Sequence, residues 1–196
     1  MKINYIRVIA FFLLIALSVG FGFAYNGIAT AIEKHNYPME ERYRESIADC
    51  AEEFGVPEHI LWAVVRTESE FVSNLVSDGG EIGLMQISPE RLDHICQDIL
   101  KEPTPDTGML YDPETNLRCG TALLSELFQR YGVWETVYAA YFIGEEQVDA
   151  WLATPELVNE IGRLQNLPDR ATADYVDQMI CAASLYGKLY FGIESP

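Results

Sequence analysis

The chain begins with a long apolar run before its pattern becomes mixed. Residues 8–25, VIAFFLLIALSVGFGFAY, carry no charge and follow two basic residues. A helix of about this length can cross a bilayer, and the basic residues favour a cytoplasmic start. Gly22 and Ala24 would fit a signal-peptide cleavage site, but the run exceeds the roughly 7 to 15 residues of a usual signal core. We predict a membrane anchor over 1–26, with a cleaved signal peptide as the alternative; both export the remainder.

After a short polar tether, predicted over 27–39, the apolar spacing becomes helical. Apolar residues recur every three or four positions, and no convincing alternation with period two is present. Glycines and prolines stand where helices would stop and start. The pattern predicts an all-α fold, with one domain over 40–196 built from about seven helices. The expected helices lie near 40–54, 57–72, 89–101, 114–131, 134–142, 146–153 and 170–191.

One segment interrupts this helical pattern. Residues 73–88, SNLVSDGGEIGLMQIS, contain three glycines and little helical periodicity. They are predicted to form a long loop, and long loops in compact domains are often functional.

The predicted helix over 57–72 carries a single acidic residue, Glu68, on its apolar face. A carboxyl in an apolar setting loses hydration, so its pKa rises and it can stay protonated near neutral pH. Such a group is a candidate general acid. The alternative is that Glu68 lies at the end of the helix, where the apolar face meets solvent or where a backbone N–H can bond the carboxylate. The apolar residues on the same face of the predicted helix are Leu61, Val64, Val65, Phe71 and Val72.

The charge and the cysteine content of the chain limit which kinds of partner and binding site are expected. Without the two basic residues before the apolar run, 11 basic residues of the 13 remain against 30 acidic ones, a net charge of −19. This balance argues against a nucleic-acid partner. Because the sequence contains no CxxC motif and only one close His/Cys pair, at 94–96, we predict no metal site. The four cysteines Cys50, Cys96, Cys119 and Cys181 permit three disulfide pairings, with free buried thiols as the alternative.

Several segments together resemble one known family. ESEF at 68–71, Ser77, GLMQIS at 83–88 and the following Pro89 resemble the soluble lytic transglycosylase domain, a lysozyme-like family that cuts bacterial peptidoglycan. Three later segments also resemble it in order: YDPETNLRCGTALLSELFQRYG at 111–132, AAYFIG at 139–144 and LPDRATADYVDQM at 167–179. The resemblance covers about residues 43–190 and implies a lysozyme-like fold.

The resemblance also implies roles for particular residues. Glu68 matches the catalytic acid of the family. Tyr141 is expected to orient Glu68 or the sugar through its hydroxyl, with core packing as the alternative. The substrate-binding residues expected around Glu68 are Ser77, Met85, Gln86, Tyr141 and Tyr175.

Two positions depart from the family pattern. Phe142 replaces the usual Asn, which removes a polar group that would face an acetamido sugar. Ser88 stands where a Met often precedes the proline, a change that we expect to be tolerated. The first departure puts substrate affinity, or activity itself, in question.

The resemblance implies a mechanism with a single carboxyl. Glu68 would protonate the oxygen between N-acetylmuramic acid and N-acetylglucosamine and then deprotonate the muramic C6 hydroxyl, which gives a 1,6-anhydro product. No cofactor or metal is needed. One alternative is a water-using muramidase in which Asp78 or Glu81 places the water. Another is a wall-binding or assembly protein that has lost turnover, suggested by Phe142.

The expected partners follow from these predictions. They are the glycan strands of peptidoglycan and, through the N-terminal helix, the cell membrane, with a wall-spanning machinery as a further candidate. The expected location is a single-pass membrane protein whose C-terminal domain is extracytoplasmic, or a secreted protein if the N-terminal segment is cleaved.

Overall fold

The computed structural model describes residues 5–161 and 163–193, with the backbone alone for 5–10 and 12. The chain forms two compact units, Met1–Pro38 and Met39–Pro196. Across the described residues, eight α-helices are present and β-structure is limited to isolated bridges. The prediction of an all-α fold is therefore confirmed.

The first unit is built on helix α1, Tyr5–Asn36. Its segment Leu13–Asn36 has a mean hydropathy of 1.6 and is long and apolar enough to cross a membrane. The helix continues to Asn36, so most of the tether predicted over 27–39 is helical and not an irregular connection. The sequence explains this difference, because no proline occurs before Pro38 and two basic residues in the last turn favour the helix end.

The second unit contains the other seven helices of the described chain. Two of the predicted helices, near 89–101 and 170–191, end in π-helical segments, His94–Leu100 and Gly187–Phe191. Short 3₁₀ helices cover Glu41–Tyr43, Thr107–Tyr111 and Pro155–Leu157. The α-helices are α2 Arg44–Phe54, α3 Glu58–Ser69, α4 Pro89–Asp93, α5 Pro113–Tyr131, α6 Trp134–Ile143, α7 Glu145–Leu152 and α8 Arg170–Tyr186.

Capping residues fix where two of these helices begin. Ser88 accepts a hydrogen bond from the backbone N–H of Glu90 at 3.3 Å, and Pro89 is the first residue of α4. Asp112 accepts a bond from the backbone N–H of Thr115 at 2.9 Å at the start of α5. Each cap satisfies a donor that the first helical turn leaves free, so the helix starts at a defined residue.

Helix α3 forms the centre of the core. It packs mainly against α8, while α5 packs against α2 and α6. Trp62 of α3 is fully buried and its ring lies 5.8 Å from Phe71 and 6.2 Å from Tyr186. Because large aromatic side chains contribute much of the buried apolar area, this cluster fixes α3 and, with it, the position of Glu68.

Helix α3 ends earlier than its apolar spacing predicts. It stops at Ser69, and Glu70 and Phe71 adopt left-handed backbone angles, with φ of 48° and 66°. The hydroxyl of Ser69 donates to the carbonyl of Leu84 at 2.8 Å, which holds this end against the following loop. The predicted extension to 72 is therefore wrong, and Val72 is 45% exposed. As a result, Glu68 lies in the last turn of α3, beside the loop.

Candidate active site

The loop predicted over 73–88 is held in place by Asn116, a fully buried residue of α5. Its side-chain nitrogen donates to the carbonyls of Ile82, at 2.8 Å, and Leu110, at 2.9 Å. Its side-chain oxygen accepts a bond from the backbone N–H of Met85 at 2.8 Å. These three bonds satisfy buried backbone groups that an irregular loop would otherwise leave unpaired.

Two glycines allow the loop to approach α5 this closely. Gly83 has a φ of +87°, and a Cβ atom there would lie 2.2 Å from the Asn116 side-chain nitrogen. A Cβ atom at Gly120 would lie 2.6 Å from the sulfur of Met85. Both positions therefore require glycine, for conformation at the first and for space at both.

The structure places Met85 in the core and not in the predicted substrate-binding site. Its side chain is 0% exposed and packs beneath the loop against α5, because the missing side chain at Gly120 leaves room for it. The predicted contact between the Met85 side chain and a substrate is therefore wrong. Met85 instead supports the loop from behind, as an apolar plug.

A cleft of about 450 Å³ opens between the loop and the neighbouring helices. Four residues of the predicted site line it: Glu68, Ser77, Gln86 and Tyr141. Phe142, the departure from the family pattern, lines the same cleft and is 46% exposed. The structure thus brings together side chains that are up to 74 positions apart in the sequence, between 68 and 142.

The Glu68 carboxyl is the central titratable group of this cleft. Burial raises its pKa from the ordinary 4.5 to about 7, and the negative charge of Glu81 acts in the same direction. The hydroxyl of Tyr175 donates a hydrogen bond to Glu68 Oε1, which opposes the rise. The carboxyl is therefore protonated in about half of the molecules near neutral pH, as expected for a group that both gives and takes a proton.

The two predicted tyrosines have different roles from those expected. Tyr175 is buried, lies outside the cleft lining and holds Glu68, while its ring stacks on Phe142 at a centroid distance of 4.5 Å. The hydroxyl of Tyr141 donates to the carbonyl of Met85 at 2.7 Å. The expectation that Tyr141 orients Glu68 through its hydroxyl is therefore corrected: the described contact to Glu68 comes from Tyr175.

Ser77 and Gln86 shape the loop as well as line the cleft. The Ser77 hydroxyl donates to the Glu81 carboxylate and accepts bonds from the backbone N–H groups of Gly79, at 3.2 Å, and Glu81, at 3.1 Å. Its bond lowers the pKa of Glu81, so this carboxylate is ionised near neutral pH. The Gln86 side-chain nitrogen donates to the carbonyl of Gly83 at 2.8 Å.

Arg91 lines the cleft and was missed in the sequence. Its guanidinium donates to the backbone carbonyl of Tyr141 at 3.0 Å and joins the first turn of α4 to α6. One signal was available in the sequence: the helix capped by Ser88 follows the loop directly, so the first turn of that helix lies next to the cleft that the loop borders. Arg91 places a positive charge in the cleft, and this charge lowers the pKa of Glu81.

One group of side chains away from the predicted site residues has the composition of a metal site. Ligand atoms of His94, Glu126 and Glu145 lie within 4.8 Å of one another. However, His94 already bonds Glu126 at 3.2 Å and Asp98 at 3.1 Å, and Glu145 forms an ion pair with Arg130 at 2.6 Å. These contacts account for the cluster as a network of ion pairs at the protein surface.

Comparison with known proteins identifies the family. The model of the transglycosylase SLT domain matches residues 45–160, which is more than half of the chain. The chain belongs to this family. The matched region of the SLT domain contains Glu68, Ser77, Gln86 and Tyr141, whereas Tyr175 lies beyond it.

Individual SLT-domain proteins are similar over most of this chain. The soluble lytic murein transglycosylase of Escherichia coli K12 is 27% identical over 156 residues, which are 76% of this chain and 24% of that protein. The membrane-bound lytic murein transglycosylase C of Edwardsiella ictaluri is 30% identical over 119 residues, 57% of this chain and 32% of that protein. The chain thus spans about a quarter to a third of the length of these relatives.

Solved structures of SLT-domain proteins share the fold. The 70-kDa soluble lytic transglycosylase of Escherichia coli matches with a TM-score of 0.72 and 26% identity, over 83% of this chain and 26% of that one. An inactive glutamate-to-glutamine mutant of the lytic transglycosylase Slt from Pseudomonas aeruginosa matches with a TM-score of 0.71 and 27% identity, over 82% of this chain and 26% of that one. The lysozyme-like fold class is confirmed by these neighbours.

Proposed function

We propose that the protein is a peptidoglycan lytic transglycosylase that uses Glu68 as both acid and base. The observation that carries the proposal is the Glu68 carboxyl, which lines a polar cleft of an SLT-type domain and whose pKa burial raises to about 7. The Pseudomonas relative has an inactive glutamate-to-glutamine mutant, which supports a role for a glutamate in the proposed reaction.

The proposed reaction needs one group that changes protonation twice. Protonated Glu68 donates its proton to the glycosidic oxygen between N-acetylmuramic acid and N-acetylglucosamine, and the bond from C1 to that oxygen breaks. The resulting carboxylate removes the proton from the C6 hydroxyl of the muramic residue, whose oxygen closes on C1. The product is a 1,6-anhydro sugar, no water is consumed, and Glu68 regains its proton. A carboxyl with a pKa near the working pH can perform both steps.

Tyr175 acts on this reaction through Glu68. Its hydroxyl stabilises the carboxylate form and opposes the effect of burial on the Glu68 pKa. It also fixes one oxygen of the carboxyl, so the other is directed toward a bound sugar. We therefore assign Tyr175 as a positioning residue and not as a substrate ligand.

The remaining cleft residues supply the proposed sugar contacts. Ser77, Gln86 and Tyr141 line the cleft with Glu68, and hydroxyl and amide groups suit neutral sugars. Because the Gln86 nitrogen is already bonded to Gly83, its carbonyl oxygen is the group proposed to meet the substrate. Phe142 offers an exposed ring face at the position where the family usually has an amide, so an apolar contact replaces a polar one.

A second candidate function is hydrolysis. Glu81 lines the same cleft as Glu68, and its hydrogen bond from Ser77 lowers its pKa while burial raises that of Glu68. Two carboxyls with pKa values displaced in opposite directions are a typical acid and base pair of a water-using glycosidase. The two functions yield different products, a 1,6-anhydro sugar for the lytic enzyme and a reducing end for the hydrolase.

The experiment uses the full chain in detergent with purified peptidoglycan, followed by mass spectrometry of the soluble muropeptides. A lytic transglycosylase releases products lighter by one water than reducing-end sugars. Glu68→Gln should abolish release, whereas Glu70→Gln should not, because Glu70 is exposed and its partner is Arg66 at 3.2 Å. Reducing-end products would favour hydrolysis, and binding without any release would favour a protein that has lost turnover.

We further propose that α1 anchors the protein in the membrane and that the second unit lies outside it. The support is the apolar segment Leu13–Asn36, the two basic residues that precede it, and the similarity to a relative named as membrane-bound. Cys181 is exposed on α8 and serves as a marker. A membrane-impermeant maleimide should label it in intact cells stripped of their outer layers; labelling only after lysis would contradict this topology.

A further inference from the structure

Two buried thiols lie together between α5 and the π-helix His94–Leu100. Cys96 belongs to the π-helix and Cys119 to α5, and each is 3% exposed. Both line the same cavity, and the two thiols interact: the interaction lowers the pKa of Cys96 and raises that of Cys119. We propose that Cys96 and Cys119 are a site of covalent modification and form a disulfide in an oxidising compartment.

The surroundings of the pair make it accessible to a small oxidant. Both residues line a surface cavity of about 360 Å³, separate from the cleft that contains Glu68. Burial raises the pKa of both thiols, and Arg118, which lines the same cavity, partly offsets this rise through its positive charge. Thiolate character and access are the two requirements for thiol–disulfide exchange.

The structure supports one disulfide, between Cys96 and Cys119, and leaves the other two cysteines as free thiols. Cys50 is buried on α2, and its thiol interacts with the side chain of Thr121. Cys181 is exposed on α8. Cys96 and Cys119 line the same cavity and their thiols interact, so we expect the other two to remain reduced.

The chemistry requires a disulfide-bearing oxidant, for which oxidised glutathione serves as the probe. The Cys96 thiolate attacks one sulfur of the oxidant, which gives a mixed disulfide and releases one thiolate. Cys119 then attacks the Cys96 sulfur and expels the second thiolate. The protein loses two protons and two electrons, and the oxidant gains them as two thiols. The interaction between the two thiols lowers the pKa of Cys96, which favours Cys96 as the attacking thiolate.

The crosslink has a structural consequence for the cleft. The π-helix continues directly from α4, which carries Arg91 in the cleft lining. A disulfide would therefore tie this wall to α5, which already holds the loop through Asn116. It would close a loop from 96 to 119, so we expect the oxidised form to melt roughly 6 to 12 °C above the reduced form.

The test uses the full chain in detergent, incubated with oxidised glutathione or with a reductant, then alkylated in denaturant and digested with trypsin. The four cysteines lie in four different tryptic peptides, because arginine or lysine separates each from the next. The expected result is a linked pair of peptides 92–101 and 119–130, with Cys50 and Cys181 alkylated. The link and the increase in melting temperature should disappear in Cys96→Ser and persist in Cys181→Ser.

Alkylation of all four cysteines after oxidation would overturn the proposal, and so would a link that involves Cys50 or Cys181. The inference depends on the proposed extracytoplasmic location only for its natural source of oxidant. Because the peptide assay needs no glycan cleavage, its failure is distinguishable from failure of the proposed enzymatic function.

Discussion

Replacing Glu68 by Gln should change how stability depends on pH as well as remove activity. In the folded protein, burial raises the pKa of Glu68 from 4.5 to about 7. Below about pH 4.5 the carboxyl is protonated in both states, and above about pH 7 it is ionised in both. Because the folded-state pKa is the higher one, Glu68 makes a contribution to stability that is complete at low pH and is lost as pH rises between these values.

The structure gives the size of this effect. A shift from 4.5 to about 7 is about 2.5 units, and at ~1.36 kcal/mol per unit it corresponds to about 3 kcal/mol in the free energy of unfolding. Domains of roughly 150 to 250 residues gain about 2 to 4 °C in melting temperature per kcal/mol. Glutamine cannot ionise, so the melting temperature of Glu68→Gln relative to the wild type should be roughly 6 to 12 °C higher at pH 8 than at pH 4.

The assay is thermal unfolding followed by circular dichroism at several values between about pH 4 and 8, for the wild type and Glu68→Gln. General effects of pH on the chain cancel in the difference between the two proteins. Glu70→Gln is the control, because it removes a neighbouring carboxyl that is exposed. A difference between Glu68→Gln and the wild type that does not vary with pH would refute the claim that Glu68 is a buried group with a raised pKa.

Three further predictions follow from the cleft and its loop. Tyr175→Phe removes the hydrogen bond that lowers the pKa of the Glu68 carboxyl. The alkaline limb of the pH–rate profile for muropeptide release should therefore move up by roughly 1 to 2 pH units, and an unmoved limb would exclude this role of Tyr175. Gly83→Ala, whose Cβ would lie 2.2 Å from Asn116, should lower the free energy of unfolding in urea by at least about 2 kcal/mol. Gly55→Ala, in open space at a φ of +66°, is its control and should cost less. Glu81→Gln should barely change the rate of muropeptide release, whereas a large loss would favour the water-using mechanism.

The helical content and the position of Glu68 were predictable because they depend on local spacing. Apolar residues at three and four positions set the face of α3, and Glu68 was the one acidic residue on it. The end of α3 was not predictable in this way. It depends on the bond from Ser69 to the carbonyl of Leu84, which lies 15 residues further along the chain. Spacing within a helix contains no information about such a distant partner.

The same limit applies to the two tyrosines and to Met85. Their types suit a sugar cleft, but which hydroxyl reaches Glu68 depends on how α6 and α8 pack against α3. Tyr175 on α8 makes that contact, while Tyr141 on α6 bonds the carbonyl of Met85. Met85 itself turned inward because Gly120, on another helix, leaves space for it. The contacts of these three side chains depend on how the helices pack against one another. No single segment of the sequence encodes that packing.

The loop of residues 73–88 has one part whose backbone Asn116 holds through hydrogen bonds and an earlier part whose side chains are exposed. Its three hydrogen bonds hold the backbone at Ile82 and Met85 and at the carbonyl of Leu110. By contrast, Leu75 and Val76, earlier in the same loop, have exposed side chains. Substitutions of these exposed side chains leave the anchoring bonds intact, so this part of the loop can vary in sequence without refolding the part that Asn116 holds.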